Sequence, residues 1–133
     1  MAYEFNRNIQ DASFTSTVAI AQAGANTAGF DLEQVIGGDV EKVVFELSAP
    51  AASGITNAKI ITYALEDSAD NSTFAAVDPA ISTTQTAAGG VGVAAKTIRF
   101  RVPANTRRYV RIAQTMTATA GTVSGSMVAK LLF

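Results

Sequence analysis

Apolar and polar residues alternate with a period of two in the second half of this chain, and this pattern limits the fold more than any other feature. Ile98, Phe100 and Val102 alternate with polar neighbours, and Val110 and Ile112 repeat the pattern. A period of two places alternate side chains on opposite faces of a β-strand. No long stretch of the sequence has the 3.6-residue period of an amphipathic helix. The chain is therefore predicted to be built from strands that each turn one face toward a core.

Further strands are predicted from β-branched and apolar runs, and turns from the clusters of Gly, Pro, Asn and Asp between them. The predicted runs are Thr15 to Ala21, Ala28 to Leu32, Val40 to Leu47, Ala58 to Leu65 and the terminal alternation from Val123 to Phe133. Residues 31–36 are predicted to form one helical turn capped by Asp31. Seven or eight short strands at this spacing predict an all-β sandwich or barrel.

The length of 133 residues fits one domain, and two segments fit a compact sandwich poorly. Residues 1–13 are polar with Tyr3 and Phe5 interspersed, and are predicted to form an extended N-terminal arm that packs on a neighbouring molecule. A frayed terminus or an edge strand is the alternative. The β-sandwich domain is predicted to span residues 14–133. Within it, residues 79–95 are rich in Ala, Thr, Gly and Val and predict either a contact loop or a flexible hairpin tip.

The residues that most enzyme sites need are missing from the sequence. There is no histidine and no cysteine, so the usual general base, the commonest metal ligands and any disulfide are excluded. Serine–lysine pairs and paired carboxylates lack a supporting motif, because the lysines and acids fall where strand patterning predicts solvated faces. We therefore predict no enzyme activity, no catalytic residue, no cofactor and no small-molecule substrate.

The densest group of oxygen ligands is the acidic segment Glu66 to Ser72. Carboxylates suit calcium, but the spacing lacks the glycine and the distal glutamate of an EF-hand loop. Asp and Asn side chains also stabilise turns by accepting hydrogen bonds from nearby backbone N–H groups. The favoured interpretation is a hairpin turn without a metal, and cation binding is the alternative.

The composition predicts a surface suited to association. Charged residues make up only 16% of the chain, against roughly 25% in an ordinary domain. A weakly charged surface with a net charge of -1 favours association with other subunits. The same charge balance predicts no nucleic-acid and no membrane partner. The first residues lack the apolar segment of a secretory signal, so synthesis in the cytoplasm is expected.

Five arginines form the one basic cluster of the sequence. They are Arg99, Arg101, Arg107, Arg108 and Arg111. Three lie on the polar side of predicted strands and two in the turn between. If these two strands pair, the guanidinium groups line one outer patch that suits carboxylates at a protein interface. The alternatives are a solvated face with local ion pairs and a nucleic-acid surface. With Tyr3 and Phe5, these arginines are the predicted interface residues.

Three segments of the sequence resemble bacteriophage capsid cement, or decoration, proteins. The segments are the strand and acidic turn from Tyr63 to Phe74, the strand–turn–strand from Ile98 to Ile112 and the small-residue approach from Ala118 to Gly125. The resemblance implies a jelly-roll β-sandwich of about eight antiparallel strands.

The resemblance also implies a structural function. Such proteins are similar in forming homotrimers that bind the outer surface of the phage head and clamp major capsid subunits of the HK97-like fold. The chain is thus expected in the virion, where contact through three copies gives high avidity. The alternative is a phage tail or baseplate component, or an adhesive glycan-binding module. The absence of tryptophan weighs against a glycan site.

Overall fold

The computed structural model describes residues 10–32, 43–117 and 121–132 of the chain. The described residues form ten β-strands and no helix, which confirms the all-β prediction. The strands are β1 Gln10–Ala19, β2 Ala25–Asn26, β3 Phe30–Asp31, β4 Val44–Ala49, β5 Ile60–Ser68, β6 Ala75–Ala76, β7 Ser82–Thr86, β8 Lys96–Arg101, β9 Tyr109–Met116 and β10 Ser126–Leu132.

The strands form two antiparallel sheets. Sheet A has the order β1-β10-β4-β8. In sheet B, β9 and β5 lie at the centre, β2 and β3 both pair with β9, and β6 and β7 both pair with β5. Apart from the steps β2 to β3 and β5 to β7, every connection passes from one sheet to the other. The two sheets are consistent with the two layers of a β-sandwich.

The core lies between the two sheets. Along β4, residues alternate between buried and half-buried, as period-two patterning predicts. Phe45 of sheet A is fully buried and contacts both layers. Its ring packs edge-to-face with Phe30 of sheet B, with 5.5 Å between the ring centroids, and stacks on Phe100 of sheet A with 5.4 Å between the centroids. Such aromatic pairs add stability beyond the area that they bury.

The loops between strands gather at two ends of the molecule. Residues 20–24, 50–58, 87–95 and 121–125 meet at one end, which we call the four-loop end. The turns 69–74 and 102–108 lie at the other, which we call the two-turn end. Each end therefore collects residues that are far apart in the sequence.

The structure corrects several predicted boundaries. The segment predicted as a helical turn begins in a strand, since Asp31 lies in β3 opposite Tyr109 and the N–H of Leu32 donates to the carbonyl oxygen of Arg108. The rest of that predicted turn lies outside the described residues. The predicted arm overlaps β1, which begins at Gln10, and its first nine residues also lie outside the description. The segment 79–95 is not one loop, since it contains β7.

Candidate protein interaction surfaces

The predicted arginine patch is wrong in one respect, because its two strands do not pair. Strand β8, which carries Arg99 and Arg101, pairs with β4 in sheet A. Strand β9, which carries Arg111, lies in sheet B between β5 and the β2–β3 edge. The five arginines are thus divided between two sheets. Their short connection resembled a hairpin, but it carries the chain from one layer to the other.

Arg107 holds a turn to the core at the two-turn end. Its backbone N–H donates to Asp67 Oδ2 at 2.9 Å, and its Nε donates to Asp67 Oδ1 at 2.8 Å. Its Nη2 donates to the Asp67 carbonyl oxygen at 2.7 Å. Asp67 is 6% exposed, and its hydrogen bonds to Arg107 raise the pKa of that guanidinium. Arg107 therefore ties the 102–108 turn to the end of β5.

Arg108 and Arg111 also have acidic partners within the chain. Arg108 donates from Nε and Nη2 to the two carboxylate oxygens of Asp31, at 3.0 and 2.9 Å. Arg111 lies directly opposite Glu66 across β9 and β5, donates to it at 2.8 Å and stacks over the Phe74 ring. These contacts fit the alternative of a solvated face with local ion pairs, and the interface role of these arginines stays a prediction.

The arginines of β8 differ from those at the two-turn end. Arg99 pairs with Glu46 of β4 at 2.6 Å, and its side chain is still 56% exposed. Arg101 is exposed and has no ion-pair partner among the described residues. The predicted interface residues Tyr3 and Phe5 lie outside the described residues, so their role also stays a prediction.

The acidic segment forms the last three residues of β5 and part of the turn that leads to β6. Asp70 Oδ1 accepts hydrogen bonds from the N–H groups of Ser72 and Thr73, both at 2.9 Å, and from the Ser68 hydroxyl at 2.8 Å. These bonds, led by that from Thr73, lower the pKa of Asp70 to about 2. In the described part of the chain, no three acidic side chains converge as metal ligands would. Local turn hydrogen bonds thus account for Asp70, whereas Glu66 and Asp67 pair with Arg111 and Arg107.

The four-loop end has no formal charge in its described loops. Residues 20–28, 50–58, 87–95 and 121–125 contain no Asp, Glu, Lys or Arg. Two lysines border these loops along the chain, since Lys59 directly precedes β5 and Lys96 is the first residue of β8. Asp31 and Asp67 lie with their partners Arg108 and Arg107 at the opposite end. Among the described residues, charge is thus concentrated away from the loops of the four-loop end.

The loops of the four-loop end interlock through glycines. Ala52 and Val93 exchange two backbone hydrogen bonds of 3.0 Å, which join the 50–58 and 87–95 loops. Gly92 has a φ of +76°, and a Cβ there would overlap the Ala52 carbonyl oxygen. Gly54 and Gly121 come similarly close, because a Cβ on Gly121 would overlap the Gly54 carbonyl oxygen. This contact joins the 121–125 loop to the 50–58 loop. Only glycine fits where backbones come this close.

Gln85 fixes this loop assembly to the core. Its buried side chain donates from Nε2 to the carbonyl oxygens of Pro50, at 3.0 Å, and Ala94, at 2.7 Å. Its Oε1 accepts from the Tyr63 hydroxyl at 2.9 Å. One amide therefore holds two loops of the four-loop end. This contrasts with the flexible tip that the small-residue composition of 79–95 favoured as one alternative.

Val91 is the most exposed large apolar residue described in the chain. It lies at the tip of the 87–95 loop between glycines and is 76% exposed. The four-loop end was not predicted as a surface. Each of its segments is uncharged and rich in small residues. Only the topology brings the segments together.

No protein-family model matches this chain, and no curated protein sequence matches it. No helix capable of crossing a membrane occurs in the described ranges.

Proposed function

We propose that this protein is a structural protein that works by docking on other proteins, and specifically a phage capsid decoration protein. The four-loop end carries the proposal. It is an uncharged surface with an exposed valine at its tip, built on loops that hydrogen bonds and glycine contacts hold in place. This surface would contact the major capsid subunits on the outside of the head.

Two properties of the four-loop end lower the cost of binding. The central parts of protein interfaces are depleted in charge, because burying an unpaired charge is unfavourable. The four-loop end has no charge to bury in its described loops. Binding also loses less entropy when the loops are already ordered. The backbone bonds between Ala52 and Val93, and the anchor at Gln85, supply that order.

We further propose that the sandwich is a jelly roll. If β2 with β3 counts as one interrupted strand, and β6 with β7 as another, the chain has eight strands. Their pairs are then first with eighth, second with seventh, third with sixth and fourth with fifth. A long antiparallel ribbon folded over on itself gives this order, and jelly rolls have eight strands in two such sheets. The fold supports the virion proposal only by analogy.

The proposed assembly is a homotrimer bound to a shell of HK97-like capsid protein. Three copies around one axis close a ring, so the contact does not extend into fibres. Three weak docking sites on one particle give a high combined avidity. The virion location of the chain is part of this proposal.

The glycan-binding alternative is less well supported. Sugar sites normally present an exposed aromatic ring with polar groups beside it. Tyr63 is buried, and the ring of Tyr109 is covered on one face by the guanidinium of Arg108 at 5.0 Å. Phe74 is likewise covered by Arg111.

The test mixes the purified chain with expanded phage shells assembled without it and measures co-sedimentation. We expect saturable binding at micromolar concentration, and we expect Val91→Asp to weaken it because a charge would be buried at the tip. Ala104→Asp adds the same charge at an exposed position of the two-turn end and should bind like the unmodified chain. Absence of binding at micromolar concentration, or equal loss in both variants, would contradict the proposal. A monomer by solution mass would contradict the trimer.

A further inference from the structure

We propose that the free edge of β8 binds an extended segment of a partner protein in which acidic and apolar side chains alternate. This surface is separate from the four-loop end and does not depend on the proposed capsid function. Three features of β8 support this proposal: its backbone, the positions of its arginines and an apolar seam between the two sheets beside it.

The backbone of β8 is suited to accept another strand. Its six residues, Lys96–Arg101, pair with β4 in consecutive register without a bulge. Among the described strands β8 is the last in sheet A, so one side of its backbone has no strand partner. A regular edge with unpaired N–H and C=O groups is a template for an added strand.

The two faces of β8 differ in chemistry. Arg99 and Arg101 lie on the outer face of sheet A and are exposed, whereas Ile98 and Phe100 point inward and are half-buried. The inward side chains border an apolar seam between the sheets that Leu47, Leu65 and Ile81 also line. Lys96 marks one end of the seam, because its Nζ donates to Thr83 Oγ1 at 2.6 Å and to the Thr84 carbonyl oxygen at 3.3 Å.

These faces define the partner by charge complementarity. Directly opposed side chains of neighbouring strands lie close enough to interact, so opposite charges stabilise the pair and like charges destabilise it. The outer side chains of the added segment would be acidic, opposite Arg101, which has no ion-pair partner among the described residues, and opposite Arg99, which stays 56% exposed beside Glu46. Its inner side chains would be apolar and would cover Ile98 and Phe100. The β8 edge of a second copy is unsuitable, because its own arginines would face these arginines.

The test uses a fluorescent octapeptide in which glutamate and valine alternate, and a control octapeptide of lysine and valine. Polarisation should show saturable binding of the glutamate peptide and none of the lysine peptide. Backbone amide shifts of the unmodified, labelled chain should change along Lys96–Arg101 and at its neighbours. Arg101→Glu should weaken binding by about fivefold or more, because an attraction becomes a repulsion.

The matched control is Lys130→Glu, which makes the same charge change on the outer face of β10, two strands from the edge. It should change the affinity by less than about twofold at moderate salt, because charges separated by two intervening strands are largely screened. Three results would overturn the proposal. They are no saturable binding of the glutamate peptide, shift changes confined to other strands, or equal weakening by both substitutions. If Arg101→Glu fails to fold, Arg101→Gln and the shift map of the unmodified chain still decide.

Discussion

At the scale of single residues, Asp67 is buried near the C-terminal end of β5. Its carboxylate and carbonyl oxygens all accept hydrogen bonds from one arginine. A buried carboxylate is unfavourable unless hydrogen bonds and a counter-charge compensate for the lost water. Arg107 supplies both, from a position 40 residues further along the chain. The pair thus fixes the 102–108 turn at the two-turn end.

We predict that Asp67→Ala lowers the free energy of unfolding by about 2–3 kcal/mol, since several charged hydrogen bonds are lost while Arg107 can still turn toward water. Urea denaturation measures this. Arg99→Ala removes an ion pair whose arginine is largely exposed, and should lower the free energy by less than about 1 kcal/mol. An equal effect of the two substitutions would contradict the structural role of Asp67.

The pair also shows what sequence reasoning can and cannot reach at this scale. The sequence correctly placed Arg107 in a turn, because local residue types determine turns, whereas Asp67, predicted to begin the acidic turn, lies in the last part of β5. Their contact depends on which strands become neighbours, and residue type does not encode that. The partners of Arg108 and Arg111, 77 and 45 residues away, were unpredictable for the same reason.

Tyr63 gives a pH-dependent prediction. Burial raises the pKa of this tyrosine to about 12, from 10.0. Between these values the unfolded chain loses the proton while the folded chain retains it, so the stabilisation is complete below pH 10 and is lost as the pH rises toward 12. We predict that the stability difference between the unmodified chain and Tyr63→Phe falls by about 2 kcal/mol over this interval. Urea denaturation at a series of pH values tests this, and a constant difference would contradict it.

At the scale of strands and loops, alternation predicted that β8 and β9 exist but not how they pair. Both strands alternate clearly, and a short turn joins them, so a hairpin was the natural interpretation. The inward side chains of both strands face the same core from opposite layers. A period of two is satisfied equally by a hairpin and by a crossing between layers, and so it cannot distinguish them.

The loops of the four-loop end show how glycine positions specify order. Gly90 and Gly92 both have a positive φ, of +71° and +76°. A Cβ at Gly90 would contact nothing within 4 Å, whereas at Gly92 it would overlap Ala52. The two glycines therefore share the same backbone requirement and differ in the packing around them.

We predict that Gly90→Ala lowers the free energy of unfolding by about 1–2 kcal/mol, from backbone strain alone. Gly92→Ala should lower it by a further 1–3 kcal/mol or so, because the overlap must be relieved. Thermal denaturation of the two variants measures the difference. Equal melting temperatures would contradict the close packing of the 87–95 loop against the 50–58 loop.

At the scale of the whole molecule, the topology of the described strands separates an end with buried and paired charges from an end whose described loops carry none. The sequence predicted the two-layer class, because seven or eight alternating strands need a shared core. It did not predict the uncharged surface, since the four loops that form it are distributed from residue 20 to residue 125. A low overall charge indicated association, but only the pairing of distant strands, such as β1 with β10, places the uncharged segments together.

This polarity predicts how the molecule is oriented when it docks. If the four-loop end contacts the shell, amide hydrogen exchange should slow on binding at residues 50–58 and 87–95, because the partner excludes water from these loops. Exchange at 69–74 and 103–108 should stay unchanged, since a charged end would have to lose its hydration for no gain. Mass spectrometry of the free and shell-bound chain measures both sets. Slowed exchange at the two-turn end alone would place the contact among the arginines and refute docking through the four-loop end.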